Sequence, residues 1–155
     1  MDAIDRKILN ILQSDARTSN AELARQVGLA PSAVLERVRK LEERQIIRGY
    51  QARIDPHALE LGLLAFVYVR TDERLGSPIA ERLLSEIPEV QEIHHIAGED
   101  CFLVKVRVAN TDALQSLLRE GFGAIPTVRS TRTTIVLATV KETATMPVAS
   151  MPVTP

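Results

Sequence analysis

The run from Asn20 to Leu41 constrains this chain more than any other part of it. Leu23, Ala24 and Val27 recur at helical spacing, and Asn20 is expected to cap that helix. Gly28 falls where a left-handed residue ends a helix and turns the chain. Pro31 suits the first turn of a second helix, because the N–H it lacks would have no partner there. In that second helix Val34, Val38 and Leu41 share one face, which turns Ser32, Ala33, Glu36, Arg37 and Lys40 outward. Two short helices hinged at a glycine, the second with cations on its open face, have the layout of a helix-turn-helix that reads DNA. An α-hairpin in an ordinary bundle shows the same stripe, so the flanks decide.

Upstream, Ile4, Ile8, Ile11 and Leu12 form one face of a helix over Ala3–Ser14, with Asp2 as its N-cap, and complete a three-helix bundle. Downstream, Ile46 to Ile54 is β-branched and alternating, broken at Gly49, the pattern of a hairpin wing on which Arg48 and Arg53 would meet phosphates. Charge agrees with this placement. The net charge of -1 hides ten Lys/Arg against seven Asp/Glu in residues 1–53, and nine against thirteen in residues 54–155. So modest an excess predicts weak binding by one copy and useful affinity only from several acting together.

Within the reader, the Arg37 guanidinium at mid-helix suits the two acceptors of a guanine edge, and Lys40 suits a phosphate. Ser32 and Ala33 lie nearest the bases if the helix enters the groove by its amino end, and Ala33 is small enough to meet a thymine methyl. Arg17, Ser19 and Asn20 lead into the first reader helix, whose exposed backbone donors attract a phosphate.

From residue 63 the periodicity switches in a defined order. A strand over Leu63–Arg70 precedes a helix from Ser77 to Ile87 stopped by Pro88; strands over Val90–Ile96 and Cys101–Val108 flank a turn at Gly98–Asp100. A helix over Asp112–Phe122 and a strand over Val128–Val140 complete β-α-β-β-α-β, the ferredoxin-like order. The chain is therefore expected to be α+β, with a winged helix-turn-helix over residues 1–54, a linker over 55–62, a ferredoxin-like domain over 63–142 and a tail over 143–155. Phe66, Tyr68, Leu103, Ile135 and Leu137 cannot all face two helices, which predicts a homodimer through the bare side of the sheet. The tail carries no charge and little reason to form a helix, and is either loose or laid along a neighbouring subunit.

No apolar run approaches the roughly 18 to 20 residues that span a bilayer, and the start Met1-Asp2-Ala3-Ile4-Asp5 lacks a basic signal-peptide region. The single cysteine, Cys101, fits a reducing compartment, so the cytoplasm is the expected location, with no membrane partner. No phosphate-cradling glycine loop, nucleophile elbow or nucleotide fingerprint is present, so neither catalytic residues nor a cofactor are expected. His94 and His95 beside Glu99, Asp100 and Cys101 suggest a metal, but neighbours on a strand point to opposite faces, and no metal site is expected.

The order of motifs closely resembles the Lrp/AsnC, or feast/famine, family of regulators over nearly the whole length. The resemblance rests on Ile4-Asp5-Arg6-Lys7-Ile8-Leu9, Asp15-Ala16-Arg17, Glu22-Leu23-Ala24, Val27-Gly28-Leu29 with Pro31-Ser32, and Arg37-Val38 before Leu41-Glu42. It continues through Gly49-Tyr50, Asp55-Pro56, Pro88-Glu89-Val90, Gly98 before Phe102-Leu103-Val104-Lys105-Val106, and Val140-Lys141-Glu142-Thr143. It implies a transcriptional regulator that binds double-stranded DNA, forms dimers and higher assemblies such as tetramers or octamers, and takes an amino acid effector between dimers. By the same resemblance, the turn at Gly98 and the strand near Thr133 and Thr134 line that pocket. An amino acid needs donors for its carboxylate and an acceptor for its ammonium; Gly98, Glu99, Asp100, Cys101, Thr133 and Thr134 offer both kinds. The alternative is a regulator that is effector-independent or responds to a metal or to redox at Cys101. Two departures stand out: Ala30 replaces a serine that would cap the reader helix, and Cys101 stands where relatives place aspartate.

Overall fold

The computed structural model describes residues 1–72 and 78–148. They fall into two compact units, Met1–Arg53 with the described residues from Lys141 onward, and Ile54–Val140.

In the first unit three helices, α1 (Ala3–Ser14), α2 (Asn20–Val27) and α3 (Pro31–Glu43), enclose Ile8, Leu12, Leu23, Ala24, Val34, Val38 and Leu41. Asp2 caps α1 in a reciprocal box: its carboxylate accepts from the Asp5 N–H (2.8 Å), and the Asp5 carboxylate accepts from the Asp2 N–H (3.1 Å). The cap of α2 is Ser19 rather than Asn20. Ser19 keeps an extended backbone and its Oγ accepts from the Glu22 N–H (3.2 Å), which leaves Asn20 as the first helical residue. Gly28 ends α2 at φ 74°, and the N–H groups of Gly28 and Leu29 both donate to the Ala24 carbonyl. Ala30 gives α3 no side-chain cap, and Pro31 begins the helix.

The expected wing is not a hairpin: among the described residues, none between 44 and 62 lies in a strand. Instead Gln45 takes φ 55°, the N–H groups of Ile46 and Ile47 fold back onto the Leu41 carbonyl (2.9 and 3.1 Å), and Tyr50 Oη donates to Glu42 (2.8 Å). Ile46 and Tyr50 remain substantially exposed, and an isolated two-stranded ribbon without a buried face is marginal in water. Residues 146–148 of the tail lie along α1 of their own chain. Gln13 brackets Met146, with the Met146 N–H donating to Gln13 Oε1 (2.6 Å) and Gln13 Nε2 to the Met146 carbonyl (3.1 Å), and Asn10 Nδ2 donates to the Val148 carbonyl (3.3 Å).

The second unit is a four-stranded antiparallel sheet in the order β2-β3-β1-β4, formed by β1 (Leu63–Thr71), β2 (Val90–His95), β3 (Phe102–Val108) and β4 (Val128–Ile135). Alternation turns Ala65, Val67, Val69, Phe102, Val104, Val106 and Val108 towards α4 (Ile79–Ser85) and α5 (Thr111–Ser116), where they pack with Ala80, Leu84 and Leu114. Leu64, Phe66, Tyr68 and Leu103 take the other face by register. The helix expected over Ser77–Ile87 is shorter, and Ser77 lies outside the described residues. The helix expected over Asp112–Phe122 changes character at Leu117 and finishes as a π-helical turn, Leu117–Phe122. Gly123 closes that turn, where a Cβ would stand 2.5 Å from the Arg119 carbonyl oxygen. β4 stops at Ile135 instead of Val140, the Val136 N–H making a last bond to the Leu64 carbonyl. Ile135 pairs with Ala65 and sits beside Leu114 and Leu118, so it belongs to the helix side and not, as expected, to the bare face.

Candidate nucleic-acid interface and effector site

Helix α3 presents Ser32, Glu36, Arg39 and Glu43 as a stripe opposite its buried Val34, Val38 and Leu41. Glu36 bridges Arg39 (3.2 Å) and Lys40 (3.4 Å), and Glu43 takes the other side of Arg39 (3.6 Å). These pairs hold Glu36 below the usual carboxylate range, Arg39 having the largest part. At 60% side-chain exposure such pairs are weak, and both cations remain available to a competing anion. Arg39 was not among the residues singled out from sequence, although it stands seven positions after Ser32. Leu35, 55% exposed, flanks the stripe as an apolar side chain without a packing role in the bundle.

Arg37 departs from the open face. Its Nη1 donates to Asp2 (2.7 Å) and Asp5 (2.7 Å) at the start of α1, and its side chain is only 31% exposed. Ser32, Ala33, Lys40 and Arg48 are exposed, as are Arg17 and Asn20 at the entry to α2 and Ser19, which is committed to capping. On α2, Arg25 and Gln26 grip Glu22 (2.5 to 2.9 Å) and hold its carboxyl down to about 2, Arg25 contributing most. Lys7 Nζ donates to the Gln26 carbonyl (2.5 Å) and ties α1 to the end of α2.

In the second unit the turn opens at Gly98, φ 138°. Asp100 accepts from Arg132 Nη2 (2.9 Å), whose guanidinium lies 3.8 Å over the Tyr68 ring, so the turn is tied to β4 across the bare face. Arg132 was not singled out from sequence; a cation beside two threonines was its only signal. The Cys101 N–H donates to the Val69 carbonyl (2.9 Å) and its Sγ rests 3.9 Å from the Thr71 carbonyl. Glu99 is exposed. Thr134 pairs with Phe66 on the bare face while Thr133 pairs with Val67 on the helix face, so one chain does not bring both threonines to one side. His94 bonds Glu92 (3.1 Å) on the bare side, and His95 stacks on Phe102 (centroids 4.5 Å apart) on the other.

The chain matches the AsnC-type helix-turn-helix domain over residues 1–42 and the Lrp/AsnC ligand binding domain over residues 64–146. It is 42% identical to the leucine-responsive regulatory protein of Escherichia coli over 146 residues, which is 92% of this chain and 88% of that protein. Among solved structures it is similar to AsnC of E. coli (TM-score 0.85, 32% identity, 92% and 95% covered). It is also similar to a feast or famine regulatory protein of M. tuberculosis complexed with L-methionine (0.86, 39%, 94% and 97%) and to a transcriptional regulator of Neisseria meningitidis in an L-Met complex (0.87, 30%, 95% and 96%). The chain belongs to the Lrp/AsnC family. It is a transcriptional regulator that joins a helix-turn-helix DNA-binding domain to that family's ligand-binding domain.

Proposed function

We propose that this chain is an amino-acid-responsive regulator of the cytoplasm, not an enzyme, that acts on double-stranded DNA as a homodimer or a higher assembly of tetramer or octamer size. A reader over residues 1–54 and a ligand domain over 63–142 are joined by a linker over 55–62. The observation that carries the reading is the succession of both family domains on one chain, with similar structures that hold L-methionine.

The reader's contacts are Ser32, Ala33, Glu36, Lys40 and the added Arg39 on α3, with Arg17, Ser19 and Asn20 at α2 and Arg48 beyond α3 supplying phosphate or positioning contacts. Arg39, held only by exposed carboxylates, exchanges these partners for a guanine edge or a phosphate at small cost. The bare face with Leu64, Phe66, Tyr68 and Leu103 receives a second copy, because no helix among the described residues of its own unit covers it. The effector, an amino acid, is held by Gly98, Glu99, Asp100, Cys101, Thr133 and Thr134, an acid taking the ammonium and turn amides with a threonine hydroxyl taking the carboxylate. Since the two threonines point to opposite faces, the complete set comes from more than one copy, and binding changes which assembly is favoured.

A thermal-shift screen against the twenty amino acids tests this. A ligand at 100 times its Kd stabilises by about 2.7 kcal/mol, a readily visible shift. One clear hit that also changes sedimentation supports the reading; a flat screen with DNA binding intact overturns the effector part of it.

A further inference from the structure

The capping box of α1 and the middle of α3 share a closed ion cluster. Each carboxylate of the box uses one oxygen for the backbone N–H of the other aspartate, Asp2 Oδ1 for Asp5 and Asp5 Oδ2 for Asp2. The remaining oxygens, Asp2 Oδ2 and Asp5 Oδ1, both accept from Arg37 Nη1 at 2.7 Å. One guanidinium nitrogen thus spends both its protons on two carboxylates that cannot rotate away without opening the helix cap. The Asp5 side chain is 15% exposed, so this is not a pair of solvated surface charges.

From this geometry we infer that Arg37 is a positioning residue, which fixes α3 against the start of α1 and does not touch the duplex. The inference rests on the reading of α3 as the DNA reader. Three features carry it. A two-point contact to guanine through the Nη1–Nη2 end is closed, because both Nη1 protons are engaged, and only the Nε–Nη2 edge remains. Two adjacent carboxylates cancel the attraction that would draw Arg37 to a phosphate. Arg37 also lies off the stripe of Ser32, Glu36 and Arg39, on the flank that faces α1. The electrostatics agree: Asp5 and then Asp2 strengthen protonation of Arg37, while the Asp5 N–H and then Arg37 lower the Asp2 carboxyl. A groove-entering helix held at a wrong angle loses base contacts along its whole length, so the clamp should govern specificity more than bulk charge attraction.

The test uses a duplex that the full-length protein selects from a random pool, an unrelated duplex, and fluorescence anisotropy across a salt series. Asp5→Asn is the discriminating variant, because removing a negative charge near DNA should tighten binding unless the carboxylate has a positioning role. We expect Asp5→Asn and Arg37→Ala each to weaken binding to the selected duplex about tenfold, with binding to the unrelated duplex and the salt slope unchanged. The double variant should be no worse than either single one, and Arg37→Lys should recover part of the loss. Circular dichroism confirms that each variant is folded at the assay temperature. If Asp5→Asn is not, Asp2→Asn, which leaves Asp5 on Arg37, replaces it with the same expected direction. The inference is overturned if Asp5→Asn binds as tightly as wild type or tighter while Arg37→Ala lowers the salt slope by about one, since Arg37 then contacts DNA. If the wild-type protein selects no duplex, it is the reading of α3 as a reader that falls, and the clamp falls with it.

Discussion

At the scale of single residues, charge on the reader is set by partners that sequence spacing only half reveals. Glu22 and Arg25 stand three apart on one helix and pair as expected of that spacing. The pairing holds the Glu22 carboxyl at about 2, against 4.5 for an unperturbed glutamate. A carboxyl lowered in the folded state adds stability above its unfolded value, and that contribution is lost as pH falls from about 4.5 through about 2. Glu22→Gln should therefore lower Tm modestly at pH 7 and converge with wild type as pH falls towards 2, flattening the fall of Tm in that window, which calorimetry across the acid range would show. Arg37 and Arg39 are the contrary case. Both are cations on a polar flank of α3, and only Asp2 and Asp5, 35 and 32 residues away, decide that Arg37 turns inward and Arg39 stays out. Arg39→Ala is accordingly expected to cost about 1 to 3 kcal/mol of binding to a selected duplex if it meets a base, or to lower the salt slope by about one if it meets a phosphate; anisotropy titrations separate the two.

At the scale of elements, what is local was legible and what needs a partner was not. The start of α1 at Asp2, the end of α2 at Gly28 and the start of α3 at Pro31 follow from backbone chemistry within a few residues. The wing failed for a physical reason: alternation in Ile46–Ile54 signals extended backbone, but a strand needs a neighbour, and Ile46 and Ile47 satisfy their N–H groups on the Leu41 carbonyl instead. Likewise the π-turn after α5 leaves no mark in the apolar period, because one extra residue per turn is absorbed at Gly123, whose missing Cβ admits the Arg119 carbonyl. Helix α3 begins without a side-chain cap at Ala30, whose backbone is already extended, so Ala30→Ser is expected to stabilise the first unit by about 1 kcal/mol in chemical denaturation. An unchanged midpoint would mean that the first-turn donors are already satisfied by solvent.

At the scale of the whole molecule, the β-α-β-β-α-β order could be read because each switch of period is local, whereas the sheet's second face could be read only in part: Phe66, Tyr68 and Leu103 lie there as expected and Ile135 does not. Register alone shows that Phe66, Tyr68 and Thr134 share that face, that Ile135 does not, and that Thr133 and Thr134 part company. The cluster of Asp100, Arg132 and Tyr68 on this face binds the turn to β4, which gives the surface a defined shape. If a second chain seats there, a carboxylate at position 66 loses its water and faces only Lys105, which Glu92 already engages, so its desolvation opposes association. Phe66→Glu, half-buried in the isolated unit, should then sediment as a folded monomer while wild type sediments as a dimer or larger. If the proposed dimer forms, its loss should weaken binding to a selected duplex by far more than loss of any one contact on α3, since a reader half with so small an excess of cations would then rely on a second copy engaging the adjacent half-site. A Phe66→Glu protein that remains dimeric would move the subunit interface to another surface.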